Sequence, residues 1–297
     1  MVVFYRRMPK MDYMRPESIE EVLDLLAEEE TGRYKIYAGG TDVIPKIKKR
    51  VMSPPQILID LKGIKGLDYV DYDKKEGLRI GALASVRSVA ESWIVKEKYP
   101  ILSQASDSIA SIQVRNRATI AGNICNAVPS ADSAPALLTL DAELKCVSKR
   151  GERTIVINDF FKAPGATGLE PHEILKEIYF PALNENTKGI YIKLSPRSRM
   201  DLAVVGVAVL GTVENGLIKS VRIGLGAVAP VPIRALNAEA LLAGSKIDDQ
   251  IINDAAKTAA LESKPIDDHR ASAEYRRMMV EVLVRRGLKN IITNQFL

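Results

Sequence analysis

Gln113 to Leu140 reads QVRNRATIAGNICNAVPSADSAPALLTL, and the rest of the chain is read outward from it. Two cations, Arg115 and Arg117, precede a run of mostly small residues: Thr119, Ile120, Ala121, Gly122 and Asn123. A polar turn around Pro129 carries one carboxylate, Asp132, and an apolar segment from Ala134 to Leu140 follows. A small-residue loop lets main-chain N–H groups approach an anion closely, because no side chain stands in the way. Taken alone, the run fits an ordinary glycine turn between two strands equally well.

A second glycine loop lies upstream: Ile36, Tyr37, Ala38, Gly39, Gly40, Thr41, Asp42 and Val43. An apolar, strand-like run from Tyr34 to Tyr37 leads into it. Two such loops, each after an extended segment, can clamp the two phosphates of a dinucleotide from opposite sides. Neither has the lysine and hydroxyl of the order G-x-x-x-x-G-K-[ST], so nucleotide hydrolysis is unsupported.

The chain of 297 residues is long enough for two domains. Its 46% apolar and 27% charged residues suit a soluble globular protein with a real core. The net charge of +5 is modest, and Lys46, Lys48, Lys49 and Arg50 read as a solvated face. With 5% aromatic residues and no aromatic–basic interleaving, nucleic acid is not an expected partner. Two cysteines, Cys125 and Cys146, exclude a disulfide framework and a Cys-ligated cluster. No 18-residue apolar run exists to span a membrane. Arg6 and Arg7 are followed by no apolar signal core, so a cytoplasmic location is expected.

In chain order, Pro16 to Glu30 reads as a helix, with Ser18 and Glu21 as a capping box. The strand at 34–37, a helix at 43–51 and a strand at 57–61 complete a small α/β unit with parallel strands. An antiparallel hairpin at 67–72 and 78–80, helices at 85–92 and 99–111, a hairpin at 142–148 and 153–157, and a strand at 174–180 follow. A domain boundary is placed after Pro181, giving 1–181 (subdomains 1–62 and 63–181) and 182–297. The second domain predicts strands at 189–193, 201–212 and 218–227, then helices at 235–242, 247–261 and 271–287. Two features read as decoys. Gly224 to Ala229 matches G-x-G-x-x-A, but Pro230 and Pro232 deny it the helix that fingerprint needs. His269, beside Asp267 and Asp268, has no partner histidine and reads as surface.

AGGTD at 38–42, TIAGN at 119–123 and the downstream Asp132 together resemble the flavoprotein (medium) subunits of the molybdenum hydroxylases, the family of xanthine dehydrogenase and carbon monoxide dehydrogenase. The family's second motif is T-I-G-G-N, and here Ala121 replaces its first glycine. The block from Asp268 through Arg270, Tyr275, Met279, Val282 and Leu283 is similar to the family's C-terminal pattern, with the last four as packing positions. The resemblance implies an α+β fold. A two-part FAD-binding domain of the vanillyl-alcohol oxidase type (a small α/β unit plus an antiparallel sheet with helices) precedes a three-stranded sheet with a helical bundle.

It also implies FAD as cofactor, with the two glycine loops donating N–H groups to its pyrophosphate. Thr41 and Asn123 would add hydrogen bonds, and Asp132 would meet ribityl or ribose hydroxyls. Leu175 would pack against the flavin nucleotide, and Lys193 would contact it. The implied role is electron transfer. An iron–sulfur subunit and a molybdenum-binding large subunit would be partners, and NAD, a quinone or another acceptor would take the electrons. The cysteine-rich insertion of hydroxybenzoyl-CoA reductases is absent. Two alternatives stay open: a self-contained reductase like the UDP-N-acetylenolpyruvoylglucosamine reductases, and a nucleotide-binding scaffold. The first needs an acid, for which Ser195 and Glu177 are only guesses.

Overall fold

A computed structural model describes residues 7–28, 32–197 and 200–293. Arg6, and Glu29 and Glu30 at the end of the expected first helix, lie outside them.

The N-terminal unit runs β1 (Asp12–Met14), α1 (Ile19–Glu28), β2 (Tyr34–Tyr37), α2 (Val43–Lys49) and β3 (Ile57–Asp60). Its three strands are parallel in the order β1-β3-β2. β1 has no apolar alternation and was not expected; its main chain supplies the third strand. Helix α1 starts where the capping residues predict, with Glu21 N–H donating to Ser18 Oγ at 3.1 Å. Val22, Leu23 and Leu26 then pack on Ile57 and Ile59 of the sheet.

The middle unit comprises β4 (Val70–Asp73), β5 (Gly77–Gly81), α3 (Val86–Glu91), α4 (Trp93–Lys98), α5 (Pro100–Asp107), α6 (Ile112–Arg115), α7 (Ile120–Cys125) and α8 (Ser133–Thr139). β6 (Glu143–Ser148), β7 (Gly151–Val156), the short pair β8 (Phe161–Ala163) and β9 (Ala166–Thr167), and β10 (Ile174–Pro181) follow. The five-stranded antiparallel sheet has the order β4-β5-β10-β6-β7. The expected helix over 99–111 ends at Asp107, and Ile112 begins α6 instead, 45% exposed. A bulge in β10 between Leu175 and Glu177 changes which side chains face inward. Ile174 and Val147 thereby join the core of the N-terminal unit, while Leu175 and Ile178 stay in the main core.

The C-terminal unit has β11 (Thr187–Leu194), β12 (Val205–Glu214), β13 (Leu217–Gly226) and β14 (Ile233–Arg234), then α9 (Leu236–Leu242), α10 (Asp249–Glu262) and α11 (Ala273–Thr293). The sheet is four-stranded, not three-stranded, because the two-residue β14 pairs with β13 at Gly224 and Leu225. β12 is covered on both faces. Val207 and Val209 pack toward the C-terminal helices, and Ala208 and Leu210 toward the middle unit. The dinucleotide-like Gly224 and Gly226 have a packing reason. A Cβ on Gly224 would sit 2.4 Å from the Pro135 carbonyl oxygen, and one on Gly226 2.8 Å from the Pro135 ring, so α8 rests directly on β13.

The C-terminal block contains a buried arginine that hydropathy misses. Arg276 is 2% exposed and donates to the carbonyls of Val204 (2.8 Å) and Ala227 (3.1 Å) and to Asp268 (2.7 Å). Burial opposes ionisation of Asp268, yet bonds from Arg270 and the Arg276 charge outweigh it and hold this carboxyl well below its usual range. Tyr275, expected to pack, is exposed, whereas Leu283 is buried as expected. His269 is exposed, in keeping with its reading as surface.

Candidate functional site

The two glycine motifs form one unit. β2 delivers Ala38, Gly39 and Gly40 to the carboxyl end of the parallel sheet, the edge where open α/β sheets bind ligands. Gly39 lies against the main chain that leads into the second motif: a Cβ there would be 2.0 Å from the Arg117 carbonyl oxygen and 2.8 Å from Ala118 Cα. Gly40 has φ +75°, a conformation that side chains rarely tolerate. Below the loop, Lys46 of α2 donates from Nζ to Asn126 Oδ1 at the end of α7. This bond takes Lys46 out of the solvated face expected of the basic run.

The second motif is not a loop. Ile120 to Cys125 form α7, and Thr119 is its N-cap, with Oγ1 accepting from Gly122 N–H at 2.9 Å. Glycine and asparagine at the start of a short helix share their residue types with a turn, so the sequence predicts a loop here. The helix explains the tolerance for Ala121, whose methyl group is buried in the main core and does not point at the exposed Gly122 side. Among the described residues, the amide of Ala121, a buried residue, donates to no acceptor, whereas that of Ile120 lies in the antiparallel bridge between Ser85 and Thr119. The amides of Gly40, Thr41 and Asp42 at the start of α2 likewise find no acceptor among the described residues, and the Asp42 side chain makes no capping bond. Unpaired amides at a helix start take a partner from water or a ligand. Two adjacent helix starts with unspent N–H groups suit an anion with two phosphates.

Of the other expected site residues, Asn123 accepts from Ser133 Oγ at 2.6 Å, which orients its amide and leaves its NH2 group to donate. Ile36 packs in the N-terminal core, and Tyr37 O–H donates to Asp60 at 2.9 Å. Val43 opens α2. Leu175 is a core residue of β10, the strand against which α7 packs. Asp132 and Lys193 are brought together as an ion pair of 2.8 Å, both largely buried. Tyr191 O–H donates to the other Asp132 oxygen at 3.0 Å, and Lys193 also donates to the Ser108 carbonyl at 3.0 Å. Burial pushes the Asp132 carboxyl above its ordinary value against the pull of Lys193 and Tyr191. Both Asp132 oxygens are engaged within the protein, so the structure joins these residues to one another across the middle and C-terminal units. One N–H of Lys193 remains for a further contact.

A cavity of about 310 Å³, lined by Glu76, Arg79, Glu143, Lys145, Thr154 and Tyr179, lies on the five-stranded sheet and includes none of these residues. Among the described residues no cluster of His, Cys, Asp or Glu suits a metal.

A parallel α/β unit, an antiparallel sheet with helices on it and paired glycine motifs between them define a dinucleotide-binding flavoprotein. The FAD binding domain in molybdopterin dehydrogenase matches residues 9–183, and the CO dehydrogenase flavoprotein C-terminal domain matches residues 190–291. The chain belongs to the FAD-binding medium subunits of the molybdenum hydroxylase family, and its cofactor is FAD. It is 34% identical to the glyceraldehyde dehydrogenase medium chain of Sulfolobus acidocaldarius, over 95% of this chain and 99% of that one. It is 31% identical to a xanthine dehydrogenase FAD-binding subunit of Escherichia coli, over 94% and 95% of the two chains. Carbon monoxide dehydrogenase from Hydrogenophaga pseudoflava superimposes with a TM-score of 0.93 at 31% identity, covering 98% of this chain and 100% of that one. The relatives are subunits of oxidoreductases, and so is this chain.

Proposed function

We propose that the chain is the electron-transfer subunit of a multi-subunit molybdenum hydroxylase. It receives electrons from the iron–sulfur clusters of one partner, reduced in turn by a molybdenum-binding large subunit, and passes them to NAD, a quinone or another acceptor. The observation that carries this reading is the pair of adjacent helix starts with orphan amides in a chain with only two cysteines. Such a chain can hold a dinucleotide but lacks the ligands of an ordinary Cys-ligated cluster.

When bound, FAD supplies the redox chemistry, exchanging one or two electrons at a time. The residues of this chain bind and orient. The amides of Gly39, Gly40, Thr41 and Ala121 would hold the pyrophosphate, with Thr41 and Asn123 adding side-chain bonds. Ile36 to Val43 form one wall and Thr119 to Asn123 the other. Asp132 and Lys193 would hold the C-terminal unit against the cofactor side of the middle unit, with Lys193 free to give one further hydrogen bond and Leu175 backing α7. The division at residue 181 would separate the cofactor-binding domain from a domain that completes the site through Lys193. A cytoplasmic location goes with this reading; no helix among the described residues is long and apolar enough to cross a membrane.

The self-contained reductase is left without a supporting observation. Its guessed acid Glu177 has a carboxyl held below the usual range: burial opposes this, and bonds from Lys145 and Tyr69 prevail. An affinity-tagged chain isolated under mild conditions from its native cells tests the proposal. Iron and molybdenum should copurify in amounts comparable to flavin. Isolation of the chain alone, turning over an organic substrate, would favour the self-contained reductase.

A further inference from the structure

The glycine loop rests on a charged support that neither glycine motif includes. At the end of β3, Asp60 is 2% exposed and its two oxygens accept four hydrogen bonds. Tyr13 O–H (2.7 Å) and Tyr37 O–H (2.9 Å) reach Oδ2. Lys62 supplies Oδ1 with both its main-chain N–H (2.9 Å) and its Nζ (2.7 Å). The same Nζ lies 4.0 Å from the centre of the Tyr37 ring and donates to the Ala38 carbonyl at 2.9 Å. Four acceptor sites, four donors: the carboxylate is saturated, and the ammonium group is fixed from two sides.

The bond to Ala38 matters because a trans peptide is planar, so its N–H points opposite to its C=O. Drawing the Ala38 carbonyl toward Lys62 turns the Gly39 N–H to the other side of the loop. Gly39 is held from a second direction by the Arg117 main chain, so the peptide between them has little freedom to flip back. We propose that Lys62, anchored by Asp60, Tyr13 and Tyr37, is a positioning residue that sets the direction of the Ala38–Gly39 peptide and thereby the donor set offered to the FAD pyrophosphate. This rests on the assignment of the glycine loop as the pyrophosphate site. Lys62 touches no cofactor atom in this account and acts through the loop. The motif is legible in retrospect as a buried Asp followed two residues later by Lys at the end of a strand, ILIDLK at 57–62.

The test compares Lys62→Met, which keeps the apolar stem over Tyr37, with Lys62→Arg, which keeps charge and donor. FAD is titrated into the full-length apo-chain by flavin fluorescence, and unfolding of the apo-chain is followed by circular dichroism. Lys62→Met should weaken FAD about tenfold to a hundredfold, the value of one charge-assisted hydrogen bond. The Lys62→Met apo-chain leaves a buried carboxylate without its cation and should melt several degrees lower while staying folded at the titration temperature, and Lys62→Arg should recover most of the affinity. Affinity within twofold of wild type in Lys62→Met overturns the proposal. So does a loss of affinity matched by a lost fold and not recovered by Lys62→Arg, which marks the lysine as merely structural. If Lys62→Met behaves as wild type while Gly40→Val loses FAD, Lys62 positioning fails and the loop assignment stands. If neither variant changes FAD affinity, the loop assignment fails as well.

Discussion

Gly122→Ala separates fold from function more cleanly than any other single change at the site. Gly122 is the third residue of α7 and faces outward. A Cβ built there meets one atom, Thr119 Oγ1, at 3.0 Å, so the cap hydroxyl must give by a few tenths of an ångström. Alanine in place of a helical glycine gains about 1 kcal/mol, and a weakened N-cap loses about as much. The two effects offset, and the melting temperature of the apo-chain should stay within a few degrees of wild type. The added methyl group would stand beside the first-turn amides, on the face assigned to the pyrophosphate. Overpacking of about 1–3 kcal/mol against the ligand corresponds to roughly a tenfold to hundredfold loss of affinity. Fluorescence titration of apo-chain with FAD, paired with a thermal melt, reads both quantities. Wild-type affinity with a wild-type melt would show that the exposed side of α7 is not the cofactor face.

Other expectations follow from the same geometry. Gly39→Ala should disturb the fold itself, because its Cβ meets main-chain atoms of Arg117 and Ala118 that cannot rotate away; the melt should drop along with FAD content. Breaking the buried Asp132–Lys193 pair with Asp132→Asn or Lys193→Met should cost about 3–5 kcal/mol each, and the double variant less than the sum; additive losses in denaturant titrations would show that the two act independently. Acid should destabilise the protein in a defined window. Asp60, Glu173 and Glu177 face the cost of burial, but bonds from Lys62 and the two tyrosines, from Arg153, and from Lys145 and Tyr69 hold their carboxyls below the ordinary values. A lowered folded value means the stabilisation is complete above the unfolded carboxylate range and is lost as pH falls through the lowered values, so melting temperatures should hold to about pH 5 and fall below about pH 4. Asp132, raised by burial, runs with the opposite sign. A melting temperature already falling between pH 7 and pH 5 would contradict this assignment.

Most of the elements were legible because each carries its own local pattern. Ser18 and Glu21 mark the start of α1, alternation marks β11, and a continuous apolar run marks β12. What escaped depended on partners distant in sequence. β1 exists because β3 offers it an edge, and β14 because Gly224 and Leu225 do. Arg276 is buried because two carbonyls and Asp268 surround it, a set of contacts that hydropathy cannot register. At the second glycine motif a capped helix and a loop share the same residue types, so the sequence predicts a loop where α7 stands. Asp132 and Lys193 were singled out separately, and only the fold shows that they meet. Asp60 and Lys62 fell outside both motifs, so their bond to the Ala38 carbonyl gave no local signal.

The electron-transfer role is tested most directly by comparing the isolated chain with the assembled complex under anaerobic stopped-flow conditions. Mixed with the organic substrate of the holoenzyme, the isolated FAD-loaded chain should show no change in flavin absorbance. In the assembly the same substrate should bleach the flavin band together with, or after, the iron–sulfur absorbance. Direct bleaching of the isolated chain by an organic substrate at a catalytic rate would contradict the account.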